Sequence, residues 1–548
     1  MQRYPDIGFF LSFFPHEPAT LPGDDAELRR WIDGQKLGEL EVIYLVGLIG
    51  YALPKELADW LGEKKERALV FIEENLGAFA SFKDEGLLEN PQIHLVYAQE
   101  DPIEDLAQRF PVDKLGVYVP EGRVFDALLL QRRSAAFSAL YSDVLYSHLL
   151  VKNALVNGTR LPECFEANRW KNAFEGIPAI ICGAGPSLEK AIPVLKEAGE
   201  KALIIGCGSA ITALTRAGVQ PHLAFAFDPN DEEVDRLKQS QFFAGPFLFG
   251  LRLHSDVFAT TAGPFGYLKS DTGGWVEGHL EKTLGLGGEA IGPDLGSEAF
   301  SATTLAVSYA RFLGCNPILF CGVDLAFSGG ERYATGVEAE PLSLEDPRAL
   351  EKSLQRKDIH GKPVETLLKW VMESDAIGAY AKNHPETQFL NACGAGLGFK
   401  GVENVSLQET LSRKKGIDLS GKIHCLVETS RLQVKDVEVQ ELYGRLKSSL
   451  SRCKELCVKI GKAWETNPSS GRLVLFEGDF REEESYHCFL EGIDLALERI
   501  LTRYFPHLDP EVAKQERQVA KYRELFVQIE RIETSLNRSR VCSEVSGC

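Results

Sequence analysis

The sequence is poor in basic residues: 60 Lys and Arg stand against 79 Asp and Glu, and the formal net charge is −19. A protein that grips a nucleic-acid backbone needs a basic surface, so this balance argues against nucleic acid as a partner. It leaves open a nucleotide site, which needs only local positive potential. For the surface as a whole, solubility is the simplest explanation of the acidity.

Long apolar runs and paired cysteines are also missing. No segment approaches the roughly 20 apolar residues of a membrane span, and the start Met1-Gln2-Arg3-Tyr4-Pro5 lacks the basic and apolar parts of a secretory leader. The 12 cysteines include no Cys-x-x-Cys pair; Cys453 and Cys457 share a helix face, but no partner at metal spacing follows. We therefore expect a cytoplasmic protein without a membrane span, whose thiols are buried and reduced.

A chain of 548 residues is too long for one hydrophobic core. In the first part, apolar runs at 41–50, 68–73, 93–98 and 115–119 alternate with helical stretches, which is typical of a small parallel-sheet domain. The whole pattern predicts four regions. They are an N-terminal α/β domain (1–120), a helical connector (121–172), a central domain (173–415) and a C-terminal helical domain (425–548).

The central region carries short, continuous apolar runs, as strands buried on both faces should. The predicted strands are residues 179–182, 202–206, 223–227, 247–251 and 317–323. Helical segments at 188–198, 210–217 and 301–313 lie between them. This alternation predicts a doubly wound α/β domain with a parallel, Rossmann-like sheet. Ligands of such sheets bind beyond the carboxyl ends of the strands.

The region after residue 425 has almost no strand signal. Apolar residues recur at helical spacing in 437–460 and 487–538; one stripe consists of Leu442, Leu446, Leu450, Leu456 and Ile460. Such a pattern predicts a helical bundle or a coiled-coil hairpin. A packed helical cap is the simpler interpretation, and a homo-oligomer formed through these helices is the alternative.

A candidate phosphate-binding turn follows the first central strand: Gly183-Ala184-Gly185-Pro186-Ser187. The glycines permit close approach by a ligand, and Ser187 can cap the following helix, whose N-terminus then faces the sheet edge with free N–H groups. Leu188 stands where a dinucleotide motif has its third glycine, which disfavours a standard dinucleotide site. A tight strand-to-helix turn without a ligand is the structural alternative.

Polar residues end three further strands of the same sheet. Gly206, Gly208 and Ser209 follow the second strand, whereas Asp228 and Asp324 follow two later ones. A single carboxylate in such a place is usually a cap or turn residue. Four polar turns at the same edge of one sheet predict a crevice that binds a ligand. If the two aspartates converge there, they can also hold a divalent ion such as Mg²⁺.

These motifs resemble a family. Residues 182–188 (CGAGPSL), 224–229 (AFAFDP) and 313–326 (LGCNPILFCGVDLA) are similar to the central DUF115 domain of the motility-associated factor (Maf) proteins, which are bacterial flagellin glycosyltransferases. Residues 360–366 and 389–401 fall where that family has similar segments. Residues 43–51 and 70–73 look like its N-terminal domain. The resemblance covers roughly residues 40–410.

The same motifs are similar to those of the bacterial family-42 sialyltransferases. There, 180–188 corresponds to the nucleotide loop, Ser301 and Thr303 to a hydroxyl pair near the nucleotide, and Tyr333 to a tyrosine on the leaving phosphate. The sequence departs from that pattern in three places. Ala184 and Gly208 replace asparagines, and Ala326-Phe327 stands where a second tyrosine is expected. His360 is the nearest candidate for the catalytic histidine, with a plain turn histidine as the alternative.

The resemblance implies an inverting transfer of a nonulosonic acid, such as pseudaminic or legionaminic acid, from a CMP donor to a Ser or Thr of an acceptor protein such as flagellin. No tightly bound cofactor is expected. The implied site has three parts. In the first part, the turn at Ser187 and Tyr333 contact the departing phosphate. In the second, Asp228 and Asp324 act as base, orient hydroxyl groups or bind a possible Mg²⁺. The third part is His360, a further catalytic candidate.

Two other classes of function stay open. The central domain also resembles the archaeal 6-hydroxymethylpterin pyrophosphokinase, which moves diphosphate from ATP and needs carboxylate-bound Mg²⁺. The other is a non-catalytic adaptor with a degenerate nucleotide domain and a helical tail that binds a partner; the departures at Ala184, Gly208 and Ala326-Phe327 add to its weight. In the N-terminal domain, Gly47, Gly50 and Glu73 hint at a second nucleotide site, although a structural role for them is the stronger interpretation.

Overall fold

The computed structural model describes residues 7, 11–12, 14–19, 26–48, 53–82, 89–98, 102–112, 114–240, 243–271, 273–292, 294, 301–338, 343–345, 353–412, 414–501 and 509–538. Two compact units emerge: residues 1–144 with 496–520, and residues 145–495 with 521–548. The stretch predicted as a connector (121–172) is thus divided between the two units after residue 144, and the C-terminal helices contribute to both units.

The smaller unit is built on a four-stranded parallel sheet in the order β3-β2-β1-β4. Its strands are β1 (Val42–Val46), β2 (Ala68–Glu73), β3 (Ile93–Tyr97) and β4 (Leu115–Tyr118). Its helices are α1 (Ala26–Asp33), α2 (Lys55–Glu63), α3 (Leu76–Ser81), α4 (Ile103–Arg109) and α5 (Ala127–Leu145). All residues of β1 and β2 are buried, as their uninterrupted apolar sequence predicts.

Glu73 has a structural role at the end of β2. Its carboxylate accepts hydrogen bonds from the main-chain N–H groups of Leu48, Glu74 and Asn75. The Arg123 guanidinium lies 3.2 Å from both carboxylate oxygens. With its oxygens occupied in this way, Glu73 fastens the edge of the sheet rather than offering a ligand site. Gly50 of the same motif lies outside the described residues.

The larger unit contains a nine-stranded parallel sheet in the order β15-β14-β11-β6-β7-β8-β9-β10-β5, and a separate antiparallel hairpin of β12 and β13. The strands are β5 (Phe165–Glu166), β6 (Ala179–Cys182), β7 (Leu203–Cys207), β8 (Leu223–Ala226), β9 (Phe247–Phe249), β10 (Phe265–Tyr267), β11 (Ile318–Cys321), β12 (Ser353–Lys357), β13 (Pro363–Leu367), β14 (Phe389–Asn391) and β15 (Glu403–Asn404).

Helices cover both faces of this sheet. They are α6 (Ser147–Gly158), α7 (Leu188–Ala198), α8 (Ala210–Arg216), α9 (Asp231–Leu237), α10 (Gly274–Thr283), α11 (Ala302–Phe312), α12 (Leu368–Asn383), α13 (Leu407–Ser412) and α14 (Leu419–Thr429). Neighbouring strand residues point to opposite cores: Ile181 packs with residues of α11 and α12, and Ile180 with residues of α7 and α8. The predicted doubly wound α/β fold is therefore confirmed.

The order of the strands creates a switch point between β6 and β11. After β6 the chain adds β7 through β10 on one side, and it then crosses back to place β11 on the other. The helix that follows β6 (α7) and the helix α12 after β11 pack on opposite faces of the sheet, an arrangement that leaves a crevice at the carboxyl edge. The turn at 183–187 and the segment that begins at Gly322 form its two lips.

The C-terminal part is helical, as predicted. It comprises α15 (Asp436–Thr466), α16 (Gly471–Glu482), a π-helical turn (Tyr486–Leu490), α17 (Glu491–Leu501) and α18 (Pro510–Arg538). The buried stripe of α15 includes Leu442, Leu446 and Ile460. Cys453 and Cys457 also belong to this stripe, whereas Leu456, which was expected in it, is only partly buried. The expectation of buried thiols holds for every described cysteine except Cys425.

No helix in the described part of the chain combines the length and apolar character that a bilayer span requires. The long helices α15 and α18 instead alternate buried apolar positions with exposed charges.

The stripe of α15 should carry a large share of the stability of this helical part. Leu446 is fully buried, so the substitution Leu446→Ala should lower the free energy of unfolding by about 2–5 kcal/mol through a lost side chain and a residual cavity. Val474 of α16 is 70% exposed, and Val474→Ala should change that free energy by less than about 0.5 kcal/mol. Urea unfolding followed by helical ellipticity measures both; equal losses in the two variants would contradict this packing.

Candidate functional site

A cavity of about 330 Å³ opens at the switch point. Ten of the residues singled out from the sequence line it: Gly183, Ala184, Gly185, Gly208, Ser209, Asp228, Ser301, Thr303, Asp324 and Tyr333. Four turns at the carboxyl edge of the sheet thus do converge on one crevice. Ala326, at one of the departures from the sialyltransferase pattern, lines it as well.

Four predicted site residues do not line the cavity. Gly206 lies within β7, and a Cβ there would meet Pro221, Leu214 and Ile211. Pro186 and Ser187 lie behind the wall of the cavity, with Ser187 6% exposed. His360 is exposed in the turn between β12 and β13, where its Nε2 lies 3.3 Å from the carbonyl oxygen of Gly394. This position adds nothing in favour of a catalytic role for His360.

The glycines of the 183–187 turn are explained by the packing of one turn against another. A Cβ at Gly183 would lie 2.6 Å from the carbonyl oxygen of Gly322, and one at Gly185 would lie 2.7 Å from Cγ of Asp324. The reciprocal contact is as close, because a Cβ at Gly322 would lie 2.5 Å from the carbonyl oxygen of Gly183. Backbone thus meets backbone at a distance that only glycine permits. The close packing of these two turns, rather than a bound ligand, explains why glycine stands at these positions.

Asp324 occupies the place that was predicted for a phosphate. Its Oδ2 accepts a hydrogen bond of 2.9 Å from the main-chain N–H of Ser187, and its Oδ1 accepts from the Ser187 hydroxyl. The expectation that Ser187 caps α7 through its side chain is therefore wrong, since that hydroxyl binds Asp324 instead. The N-terminus of α7 already holds an anion, and that anion is part of the protein.

Other amides of this turn are occupied as well. The N–H groups of Gly183 and Gly185 donate to the carbonyl oxygens of Cys321 and Gly322, at 2.9 and 2.7 Å. The N–H of Leu188 donates to Gly185 at 3.0 Å. The expectation of several free amides at this turn is therefore wrong as well. Burial raises the pKa of Asp324, although the Ser187 hydroxyl and amide oppose that shift by stabilising the carboxylate.

The N-terminus of α11 has the character that was expected of α7. Ser301 and Thr304 form a capping box, in which the Ser301 hydroxyl accepts from the Thr304 N–H and the Thr304 hydroxyl from the Ser301 N–H. The main-chain N–H groups of Ala302 and Thr303 have no hydrogen-bond acceptor among the described residues, and both residues line the cavity. This end of an 11-residue helix favours an anion.

An ion cluster forms one wall below β8. The Arg236 guanidinium of α9 lies 2.7 Å from Glu233 and 3.3 Å from Asp228. Glu233 is 2% exposed, and its pKa is raised to about 7 by burial and by the nearby Asp228, against the lowering effect of Arg236. A Cβ at Gly208, whose φ is +50°, would lie 3.4 Å from the Glu233 carboxylate. The carboxylate therefore fills the space beside Gly208, where the sialyltransferases have an asparagine.

The first two turns of α12 form another part of the cavity wall. Glu373 accepts a 2.5 Å hydrogen bond from the Ser301 hydroxyl, and Lys369 stands one turn before it. Burial raises the pKa of Glu373 to about 7, against the Ser301 hydrogen bond and the charge of Lys369. Lys369 reaches solvent through the cavity, yet the surrounding walls lower its pKa by desolvation and by the nearby positive charge of Arg332.

Aromatic and cationic groups close the outer side. The Arg332 guanidinium lies over the Tyr333 ring at 4.7 Å and over the Trp370 ring at 5.8 Å. The segment that carries Tyr333 is fastened to the rest of the site, because the N–H of Ala334 donates to the carbonyl oxygen of Ala184 at 2.8 Å. Tyr333 thus stands at the cavity that the family resemblance predicted for it.

Asp228 and Asp324 do not fit a shared magnesium site. Each carboxylate oxygen of Asp324 already accepts a hydrogen bond from Ser187, and Asp228 pairs with Arg236. Among the described residues, no group of three or more His, Cys, Asp or Glu side chains is placed to hold a metal ion. Octahedral Mg²⁺ binding relies on free oxygen ligands, and Asp324 has none to offer.

The motifs missed Glu233, Arg236, Arg332, Lys369, Trp370 and Glu373, which all line the cavity. A signal was present for part of this set. Lys369 and Glu373 are four residues apart, so they share one face of any helix that continues after the β13 segment. Nothing in the sequence indicated that this face points at the carboxyl edge of the sheet, because the helix follows a hairpin outside the regular strand and helix alternation.

Two comparisons bear on the fold. Residues 152–330 match the family model of 6-hydroxymethylpterin diphosphokinase MptE-like proteins. Among solved structures, the chain is similar to a Maf glycosyltransferase from Magnetospirillum magneticum AMB-1, with a TM-score of 0.53 and 14% identity over 99% of this chain and 91% of that chain. At this identity the likeness concerns the fold. No curated protein matches the sequence significantly. Together the two matches support the resemblance to the Maf family that the motifs carry.

The close packing of the two lips has a direct test. Gly185→Ala should lower the free energy of unfolding by roughly 1–3 kcal/mol, because the added methyl group overlaps Asp324 and the backbone of Gly322. Gly278 of α10 has open space around its Cα, and Gly278→Ala should raise that free energy by about 0.5–1 kcal/mol through helix propensity. Thermal denaturation separates the two. An unchanged melting temperature for Gly185→Ala would show that the turns are not in contact.

Proposed function

We propose that the chain is a glycosyltransferase that moves a nonulosonic acid, such as pseudaminic or legionaminic acid, from a CMP donor to a Ser or Thr hydroxyl of an acceptor protein such as flagellin. The fold shared with a Maf glycosyltransferase supports the reaction class. The motifs that resemble the sialyltransferases support the donor class. Inversion at the anomeric carbon follows if the acceptor oxygen attacks opposite the departing phosphate.

One observation carries this proposal: the cavity at the switch point gathers donors for an anion on one side of the sheet edge. Lys369 and Arg332 supply positive charge, and the N-terminus of α11 supplies the amides of Ala302 and Thr303, for which no described residue is an acceptor. A volume of about 330 Å³ falls at the lower end of the ~300–1,000 Å³ of small-molecule sites. We therefore place the phosphate of CMP at the end of α11 rather than at Ser187.

Each wall then has a task in the transfer step. Negative charge grows on the phosphate as the bond to the sugar breaks, and the α11 amides, Lys369 and the Tyr333 hydroxyl can stabilise it. The Thr303 hydroxyl and Asp228 stand at the rim, where they can orient hydroxyl groups of the ribose or the sugar. Asp324 keeps the turns in place, which positions Ala184 and Gly185 against the donor.

A second candidate function rests on the name of the family model that matches residues 152–330, a diphosphokinase. Diphosphate transfer from ATP needs Mg²⁺ next to the phosphates, and carboxylates usually hold it. Asp324 is already engaged by Ser187, and Asp228 by Arg236. The carboxylates therefore fit a metal-independent sugar transfer better than a kinase.

Lys369 should matter for nucleotide binding. Isothermal titration should show CMP binding to the wild-type protein without added metal, and Lys369→Met should weaken it about 10-fold or more, the effect of losing ~1.5–3 kcal/mol of charge-assisted hydrogen bonding. Lys382 stands on the same helix and does not line the cavity, so Lys382→Met should bind CMP like the wild type. Equal affinity of both variants for CMP would show that the phosphate does not bind at Lys369.

The same titration distinguishes the rival functions. Binding of ATP only together with Mg²⁺, and no binding of CMP, would favour the diphosphokinase. Absence of binding for CMP, ATP and ATP with Mg²⁺ would favour the non-catalytic adaptor. Either outcome would overturn the glycosyltransferase proposal.

A further inference from the structure

Four carboxylates line the cavity, and three of them are engaged by other groups. Both oxygens of Asp324 accept from Ser187. Glu233 is buried and ion-paired with Arg236 at 2.7 Å. Asp228 is 3.3 Å from the same guanidinium. A group that is to remove a proton from a substrate must present an oxygen that no other donor occupies. Asp324 fails this requirement, and Glu233 is too deeply buried to meet a substrate. Asp228 keeps Oδ1 without a hydrogen-bond partner among the described residues, but the ion pair of its Oδ2 ties it to α9 rather than to the N-terminus of α11.

The fourth carboxylate, Glu373, meets the requirement. Its Oε1 accepts a hydrogen bond of 2.5 Å from the Ser301 hydroxyl. Its Oε2 has no hydrogen-bond partner among the described residues, and the side chain lines the cavity. The bond to Ser301 ties the carboxylate to the N-terminus of α11, beside the free amides that we assign to the phosphate. One oxygen is thus fixed, and the other is left without a donor on a side chain that lines the cavity.

We propose that Glu373 is the general base of the transfer. The inference rests on the glycosyltransferase proposed above and identifies the group that takes the proton. In the step, the acceptor hydroxyl oxygen forms a bond to the anomeric carbon and its proton passes to Oε2 of Glu373. The bond from that carbon to the CMP phosphate oxygen breaks, and CMP leaves with the electron pair.

The surroundings of Glu373 suit a base that works near neutral pH. Lys369 faces it from its own helix, Ser301 from α11, Asp228 from the end of β8 and Cys207 from the end of β7. Burial dominates and raises the pKa of Glu373 to about 7, which Asp228 also favours while Lys369 and Ser301 oppose it. The carboxylate is then protonated and inactive below this pH and deprotonated above it. Activity should therefore rise with pH through about 7.

The test measures CMP release from CMP-activated N-acetylneuraminic, pseudaminic and legionaminic acids, with a flagellin as acceptor. Glu373→Gln should lower kcat about 10²–10⁴-fold, the usual contribution of a general base, and should leave the Kd of CMP within about two-fold. Asp375→Asn, an exposed position on the same helix, is the matched control and should keep wild-type activity.

A pH profile separates a base from a structural role. In the wild type, log(kcat/KM) should fall below about pH 7 as Glu373 takes up a proton, and this limb should be absent in Glu373→Gln. Glu373→Ala should regain part of its activity with added formate, which can enter the vacated space as a substitute base. A variant that is merely misfolded shows neither residual activity that is independent of pH below about pH 7 nor a recovery of activity with formate.

The outcomes keep the two proposals apart. If the wild type and Glu373→Gln both bind CMP and both cleave CMP from the sugar donor at similar rates, Glu373 is not the base, while the glycosyltransferase proposal stands. If the wild type binds CMP but the acid limb persists in Glu373→Gln, another residue takes the proton and the inference fails. If the wild type does not bind CMP, the proposed function itself fails.

Discussion

The contact between Asp324 and Ser187 organises the carboxyl edge of the central sheet. The carboxylate binds the hydroxyl and the amide that open α7, and the carbonyl oxygen of Asp324 accepts from Leu397 at 2.9 Å. Three chain segments meet at this one residue, and the glycines around it are those that so close an approach requires. Gly396 belongs to the same set, since a Cβ there would lie 2.1 Å from the Asp324 carbonyl oxygen.

Because of this contact, the anion site is expected at the N-terminus of α11 and no longer at the N-terminus of α7. A helix N-terminus can stabilise one anion at close range, and that of α7 is satisfied by a carboxylate of the protein. The N-terminus of α11 opens into the cavity, with Lys369 and Arg332 among the lining residues. Its Ala302 and Thr303 amides have no acceptor in the part of the chain that the structure describes. The glycine-rich turn therefore shapes the site, while the chemistry is assigned to residues on either side of it. Glycine motifs after a strand are compatible with both roles, and only the surrounding contacts distinguish them.

The fold could be predicted from the sequence more fully than the site. Continuous apolar runs such as residues 179–182 and 68–73 mark strands buried on both faces, and these agree with β6 and β2 to the residue. Short strands with mixed composition, such as β5 and the β12–β13 hairpin, were missed because their pairing partners lie far away or their faces are only half buried. The likeness to a Maf glycosyltransferase fold extends the agreement to nearly the whole chain.

For the site, residues that follow strands were predictable, because parallel strands bring their carboxyl ends to one edge; Ser209, Asp228 and Asp324 belong to this group. Ser301 and Tyr333 were predicted from the family resemblance instead. Residues carried by α9 and α12 were not, since a helical position reveals which residues share a face but not what that face meets. The hydrogen bond that joins Glu373 to Ser301 connects residues 72 positions apart. No local pattern signals such a contact. The occupant of the α7 N-terminus was likewise hidden, because it comes from β11.

The most direct test of the central claim is a crystal structure of the protein soaked with CMP. We expect electron density for the nucleotide in the cavity at the switch point, with its phosphate at the amides of Ala302 and Thr303 and within reach of Lys369. Asp324 should stay bound to Ser187. A phosphate that displaces Asp324 from the 183–187 turn, or a nucleotide bound outside this cavity, would contradict the account.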